Sequence, residues 1–249
     1  SLIAVYDYQD DWTIRDCDFR VAGNGVNTIS GTNEAPDRLT VVDCAFYDMG
    51  HTYPNSDGHA VGVQGGHNIV IEDNYMEYCQ NAICLHAWIE QEMKDIIIRN
   101  NFIHDSGDRA MPISGHHGSP YGMRTGIEMY NNIIANAEAQ AITTNGVDPV
   151  FIRDNTVYDA YGFTCWTRDY GPHWVGSNNL MYQTPQRYLS LSNGHDTPDW
   201  SVDWDYNLYY PETISGFAGS EFFIRDLGYM SFAEWRAAGY DMHGLSADP

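Results

Sequence analysis

The chain repeats one short pattern, in which an apolar run ends at a bend residue and another apolar side chain follows two positions later. The bend residues lie 23 to 31 residues apart in a sequence of 249 residues. They are Cys17, Cys44, Asn74, Asn101, Asn132, Asn155, Asn179 and Asn207. A period of this length indicates a solenoid, in which each repeat is one coil stacked on the previous coil. The spacing predicts about eight coils over residues 5–210.

The runs around each bend have the composition of β-strands. Segments such as 39–42 and 95–98 are short and rich in β-branched residues, and no helical period is sustained. After each bend a second strand follows, with inward pairs such as Val61/Val63 and Ile83/Leu85. The fold class predicted is all-β, with parallel strands stacked from coil to coil. Stacked bends would place the asparagine amides above one another, so we assign these asparagines to the fold and not to catalysis.

The tail, residues 211–249, departs from the coil pattern. Ser231 begins a segment with a glutamate three residues later and a glycine stop at Gly239, which predicts a short C-terminal amphipathic helix with a serine cap. We expect this helix to lie against the last coil.

The charge of the chain is strongly negative. Lysine and arginine number 12 against 34 aspartates and glutamates, a net charge of −22, and Lys94 is the only lysine. Phosphate recognition needs clustered cations, so nucleic acid is excluded as the expected partner. The sequence contains no apolar run typical of a membrane span and no signal-peptide pattern. We expect one domain over residues 1–249, cut short at both ends, with no membrane partner.

Two repeats carry a family resemblance. They read Asn-Ile-Val-Ile-Glu-Asp-Asn-Tyr at 68–75 and Asp-Ile-Ile-Ile-Arg-Asn-Asn-Phe at 95–102, and each is followed by a strand with the pattern Ala-apolar-x-apolar. They resemble the right-handed parallel β-helix proteins of the pectate-lyase-like superfamily, also called carbohydrate-binding and sugar-hydrolase repeats. Residues 232–249 resemble the tail of secreted bacterial members. The resemblance implies a secreted, extracellular or periplasmic, carbohydrate-active protein, while lyases, hydrolases, epimerases and adhesins all share such repeats.

The candidate site lies on the outward face of the second strands, where the third to fifth coils are rich in ionisable residues. The candidate catalytic residues are His59, His86, Arg109, His116, His117 and Tyr121. The candidate substrate-binding residues are Asp57, Gln64, Asp108, Tyr161, Trp166 and Arg168. In-register stacking about 4.8 Å apart would place Gln64, His86 and Ser114 in one column, and His59, Asn81 and Arg109 in another. We expect these groups to gather within one sugar subsite.

Two reactions compete for this face. Glycoside hydrolysis needs two carboxyl groups at a defined separation, and no outward position of a second strand carries one. Elimination from a uronic acid needs a base, a cation beside the carboxylate and an acid for the leaving oxygen, which histidine, arginine and tyrosine supply. In this assignment His86 or His59 is the base, Arg109 and Gln64 hold the carboxylate, and His116, His117 or Tyr121 serves the leaving group.

The sequence thus favours a polysaccharide lyase acting on an extended, acidic polysaccharide. A glycoside hydrolase on the same fold is the second enzyme reading, and a non-catalytic carbohydrate-binding or adhesin solenoid is the alternative outside enzymes. No metal ligand set is assigned. Calcium, which superfamily lyases use to neutralise the substrate carboxylate, is kept as the alternative cofactor. We expect a monomer.

Overall fold

The computed structural model describes residues 2–6, 11–29, 37–50, 58–87, 93–115, 124–167, 173–193, 201–211, 219–225 and 227–247. Within these ranges the protein forms 27 strands and one short helix. In chain order the strands are β1 (Ile3–Tyr6), β2 (Trp12–Arg15), β3 (Asp18–Ala22), β4 (Val26–Ile29), β5 (Leu39–Val42), β6 (Ala45–Met49), β7 (His59–Val63), β8 (Gly66–Glu72), β9 (Tyr75–Glu77), β10 (Asn81–Ala87), β11 (Met93–Arg99), β12 (Phe102–His104), β13 (Met111–Gly115), β14 (Arg124–Tyr130), β15 (Ile133–Ala135), β16 (Gln140–Asn145), β17 (Val150–Arg153), β18 (Thr156–Tyr158), β19 (Tyr161–Thr167), β20 (His173–Ser177), β21 (Leu180–Tyr182), β22 (Leu189–Asn193), β23 (Ser201–Asp205), β24 (Leu208–Tyr210), β25 (Phe222–Ile224), β26 (Gly228–Met230) and β27 (Leu245–Ser246).

The strands form three sheets that run the length of the solenoid. Sheet A holds ten strands in the order β1-β4-β7-β10-β13-β16-β19-β22-β25-β26, sheet B eight in the order β2-β5-β8-β11-β14-β17-β20-β23, and sheet C nine in the order β27-β24-β21-β18-β15-β12-β9-β6-β3. All pairs are parallel except β25 with β26. The chain passes from sheet B to sheet C to sheet A in every turn, so the predicted all-β parallel solenoid is confirmed.

Six turns, from β5 to β22, have a parallel neighbour on both sides in all three sheets. One terminal turn, stacked on one side only in at least one sheet, lies at each end. The solenoid thus has about six complete turns, slightly fewer than the eight coils predicted.

Apolar columns fill the space between the sheets. The central residues of the sheet C strands pair in register from turn to turn and are all buried. They are Phe19, Phe46, Met76, Ile103, Ile134, Val157, Met181 and Tyr209. Because each strand sends alternate side chains inward, every turn contributes residues to the same continuous core.

The corner between sheets B and C is a two-residue bend in every turn. Its first residue has a positive φ, between 53° and 62°, and is aspartate or asparagine in every turn except the last, where it is Tyr206. These two residue types tolerate the left-handed region better than other non-glycine residues, which explains the tight bend. The second residue is the bend residue of the repeat.

The bend asparagines form a buried hydrogen-bond ladder. The main-chain N and the Nδ2 of Asn101 donate to Oδ1 of Asn132, at 3.1 and 3.0 Å, and the same two groups of Asn132 donate to Oδ1 of Asn155 at 3.1 and 3.0 Å. Cys44 begins the ladder by donating its main-chain N–H to Asn74 Oδ1 at 3.0 Å. The structural role predicted for these asparagines is confirmed.

Asp241 ends the ladder at the C-terminal side. The main-chain N and the Nδ2 of Asn207 donate to its two carboxylate oxygens, each at 3.2 Å, and the Tyr209 hydroxyl donates to Oδ2 at 2.6 Å. Asp241 is 1% exposed. A carboxylate can accept all three hydrogen bonds, whereas an asparagine would point an NH₂ group at donors.

The predicted C-terminal helix is present as α1 (Phe232–Ala237). Ser231 caps it, and Glu234 donates its main-chain N–H to the serine while its carboxylate accepts from Ser231. Trp235 is fully buried and stacks on Phe222 of the last turn at 4.8 Å between ring centres. The helix therefore covers the end of the core, as expected. No helix in the described ranges is long and apolar enough to cross a bilayer.

Candidate functional site

Sheet A carries along the solenoid a line of small residues between two lines of larger polar residues, and we call this surface the trough. Its floor is a column of small, uncharged residue positions that pair in register from one turn to the next. The floor column contains Asn27, Gly62, Cys84, Pro112, Thr143, Thr164 and Ser190. Larger polar residues flank the floor on both sides, so an extended ligand lying along the axis would contact each turn in the same way.

The leading column forms the flank at the beginning of each sheet A strand. His59 pairs with Asn81, and Gln140 pairs with Tyr161. Arg109 is two residues before Met111, whose pairing with Ile142 puts Arg109 level with Gln140. The predicted column of His59, Asn81 and Arg109 therefore exists. It continues through Gln140 and Tyr161 to Arg187, two residues before the paired Leu189.

The trailing column forms the opposite flank. Gln64 follows Val63, which pairs with Leu85, so Gln64 is level with His86. His86 pairs with Ser114. The main-chain positions of Asn145, Trp166 and Ser192 continue the column in register. The predicted column of Gln64, His86 and Ser114 is therefore present.

The main chains of the two columns lie apart along the strands of sheet A. Asn81 and His86 are five residues apart on the same strand, which corresponds to about 16 Å of extended chain. At the level of the main chain His59 and His86 stand on opposite sides of the floor column, and their action on one sugar stays a prediction. A sugar chain in the trough would have His59 and Arg109 on one side and Gln64 and His86 on the other.

Gly62 gives the floor its shape beside His59. A Cβ at Gly62 would lie 2.9 Å from His59 Cδ2 and 2.5 Å from Asn27 Oδ1. The imidazole and the amide therefore both lie against the bare main chain of this glycine, and any larger residue would displace them. The main chain of His59 is fixed by Asn24, whose Oδ1 accepts from the His59 N–H at 3.0 Å.

Asn27 adds a buried acceptor next to His59. It is 6% exposed, and among the described residues no donor reaches its Oδ1. Asn24 and Asn27 were not among the residues predicted for the site. Aligning 24–28 with the strand of His59 by the repeat would have placed both beside it, because Val26 and Asn27 pair with Val61 and Gly62.

The remaining described candidates lie at the leading flank. Arg109 is exposed, and Asp108 is half-buried with its main-chain N–H donating to Gln80 O at 2.9 Å. Tyr161 is half-buried and level with Arg187, whose carbonyl accepts from Gly162 N at 3.0 Å. These residues extend the polar flank over four successive turns. Asp57, His116, His117, Tyr121 and Arg168 lie outside the described residues, as does the side chain of Trp166.

Cation ligands are sparse in the part of the chain that the structure describes, where no group of three or more histidine, cysteine, aspartate or glutamate side chains could hold a metal ion. Calcium as an alternative cofactor stays untested.

A cavity of about 510 Å³ lies elsewhere, between the last strands of sheet B and the segment after α1. Asp203 and Asp205 line it, and each contacts a histidine, His173 at 3.0 Å and His243 at 2.7 Å. Burial raises the pKa of Asp205, but hydrogen bonds from His243 and Tyr206 outweigh it and leave the pKa below its ordinary value. An ionised carboxylate saturated with donors holds the C-terminal segment in place and is a poor general acid.

Comparison with known proteins identifies the fold family. The family model described as a right-handed β-helix region matches residues 2–180. No protein of curated function and no solved structure matches the chain.

Proposed function

Because the chain belongs to the right-handed β-helix family, whose repeats serve carbohydrate-active and carbohydrate-binding proteins, we propose that it is a secreted polysaccharide lyase. In this proposal an extended, acidic polysaccharide lies in the trough of sheet A and is cleaved by β-elimination. The protein acts as a monomer, with its substrate as the partner.

One observation carries the choice of reaction. Between β7 and β22, none of the described outward strand positions of sheet A holds an aspartate or glutamate, whereas the flanks hold His59, His86 and Arg109. Hydrolysis by a carboxyl pair lacks its two groups on these strands. Elimination needs a base and a cation, and both are on the leading flank.

The roles follow from the positions. His59 removes the proton on the carbon next to the substrate carboxylate, and Arg109, two turns away in the same column, neutralises that carboxylate. The electron pair of the broken C–H bond forms the new double bond, and the glycosidic C–O bond breaks. The leaving oxygen takes a proton from an acid, for which His116, His117 and Tyr121 remain the candidates. Gln64 and His86 bind the chain from the opposite flank.

The alternatives differ in product. Incubation with a panel of polyuronates should produce the ultraviolet absorbance of an unsaturated uronate. New reducing ends without that absorbance would favour a glycoside hydrolase, and binding without either would favour a non-catalytic solenoid. Inclusion of a chelator tests calcium, since a calcium-dependent enzyme loses activity that calcium restores.

Two variants test the assignment. His59→Ala and Arg109→Ala should each lower kcat/KM by about 100-fold or more while the unfolding midpoint stays near that of the parent protein. His173→Ala and Arg153→Ala, which remove the same residue types from sheet B, are the controls and should keep full activity. Full activity of both sheet A variants would refute the proposed roles.

A further inference from the structure

The outward face of sheet C carries an uncharged strip in an otherwise strongly acidic protein. The strip consists of the outward residues of four successive strands, β15, β18, β21 and β24. They are Ile133, Ala135, Thr156, Tyr158, Leu180, Tyr182, Leu208 and Tyr210. None carries a charge, although the net charge of the chain is −22. On sheet B the same turns present four charged outward residues, Glu128, Arg153, Asp203 and Asp205.

Side chains of the strip are accessible. Ile133 is 47% exposed and Tyr158 39%, and the other six are half-buried by their neighbours in the stack. Nothing in the core requires these outward positions to be apolar, because the inward column of sheet C already fills it. An accessible apolar surface that recurs over four turns is typical of an interaction site.

Three tyrosines of the strip form a stack of rings. The rings of Tyr158 and Tyr182 lie 5.7 Å apart and those of Tyr182 and Tyr210 5.3 Å apart, in both cases at 14° between planes. The stack runs along the solenoid axis and repeats once per turn. A ligand that contacts it along its length must itself be extended and repetitive.

The rim of the strip is polar. Asn136, Asp159 and Gln183 each directly follow a residue of the tyrosine column and are exposed. Together with the phenol groups they offer hydrogen-bond donors and acceptors beside an apolar floor. A pyranose ring needs that combination, since its faces carry C–H groups and its edge carries hydroxyls.

The width and the charge of the strip favour one class of ligand over others. The strip is two side chains wide and four turns long, roughly 7 by 14 Å between main-chain positions. A stable protein interface buries about 800 Å² per partner, far more than this strip offers, so a second copy does not fit it. No cation lies among its eight residues, and Asp159 stands at its rim, so a polyanion is disfavoured.

We propose that the sheet C strip is a second polysaccharide-binding site, which holds a neutral, linear polysaccharide along the solenoid axis. It is separate from the trough of sheet A and does not depend on cleavage there. A protein with both sites would hold a neutral polymer on one face while its trough engages an acidic one.

Binding is tested with cellohexaose, xylohexaose and mannohexaose in isothermal titration calorimetry, with polygalacturonate as the anionic comparison. At least one neutral oligosaccharide should bind. Tyr182→Ala should weaken that binding by about tenfold, because Tyr182 is the middle ring of the stack. Tyr182→Phe should retain most of it, since the ring is kept.

Controls separate this site from the trough and from loss of fold. Tyr229→Ala removes a tyrosine outside the strip that is more accessible than Tyr182, 56% exposed, and should leave binding unchanged. His59→Ala should also leave it unchanged, so failure of the lyase proposal would not affect this result. Absence of binding to all three neutral oligosaccharides, or equal binding by Tyr182→Ala, would overturn the proposal. So would a concentration-dependent dimer that Tyr182→Ala dissociates in the absence of sugar binding.

Discussion

The connections of the solenoid differ between two regions, the corner between sheets B and C and the two margins of sheet A. All eight connections at the corner contain two residues, whereas the connections on either side of sheet A contain between two and eleven. The corner holds the asparagine ladder, and the margins of sheet A hold the candidate catalytic residues. The solenoid is therefore fixed by one invariant corner, which leaves the opposite side free to vary in length and in chemistry.

The largest effect is expected at the middle of the ladder. Asn132→Ala removes the acceptor of two donors of Asn101 and leaves the carbonyl of Ile98 without its side-chain donor. We expect a loss of about 3–5 kcal/mol in the free energy of unfolding by urea, because several buried groups lose partners together. Asn145→Ala, on the outward face of sheet A, should cost less than about 1 kcal/mol. Equal losses would remove the distinction between the two regions.

A smaller loss is expected at the end of the ladder. Asp241→Asn places an NH₂ group against the donors of Asn207 and Tyr209, which should cost about 1–3 kcal/mol in the same urea titration. Asp203→Asn, on the exposed face of sheet B, serves as the matched control and should change little. A neutral result for Asp241→Asn would mean that the last turn needs no terminal acceptor.

A substitution in sheet A should lower turnover more than it lowers the free energy of unfolding. Gly62→Ala forces His59 and Asn27 apart, with an expected cost of about 1 kcal/mol and a larger loss of turnover. Gly23→Ala is the control, because an added methyl group there meets nothing within 4 Å. If both variants keep parental turnover on a polyuronate, His59 does not depend on the floor of the trough.

The smallest effect is expected at the cap of α1, away from both regions. Hydrogen bonds from Ser231 lower the pKa of Glu234 below its ordinary value of 4.5. A lowered folded-state pKa means that the carboxylate stabilises the fold above 4.5 and that this contribution is lost as the pH falls through the folded-state pKa. Glu234→Gln should therefore be slightly less stable at pH 7 and equal to the parent protein at low pH in thermal unfolding. A difference between Glu234→Gln and the parent protein that does not change with pH would contradict this prediction.

The fold could be predicted because its determinants are local and repeated. The bend asparagines and the apolar residues two positions later specify the corner, and regular stacking then fixes the register of Gln64 with His86 and of His59 with Arg109. The lengths of the sheet A connections have no such period, so the residues that they carry could be assigned to the face but not to a place on it.

Other features depend on contacts that the repeat does not encode. The imidazole of His59 lies over Gly62 because of the residues around it, and not because of its place in the repeat. Asp241 joins the ladder from beyond a helix, 34 residues after Asn207 and with a different residue type. No periodic pattern could have identified it.

The asparagine ladder also has a direction along the solenoid axis. Each asparagine accepts hydrogen bonds through Oδ1 from the preceding member of the ladder. It donates its main-chain N–H and its NH₂ group to the next member toward the C-terminus, so all these hydrogen bonds point in one direction. At position 241 the side chain has two oxygens and no hydrogen to give. The side-chain ladder therefore ends on the carboxylate of Asp241, which accepts hydrogen bonds from Asn207 and Tyr209.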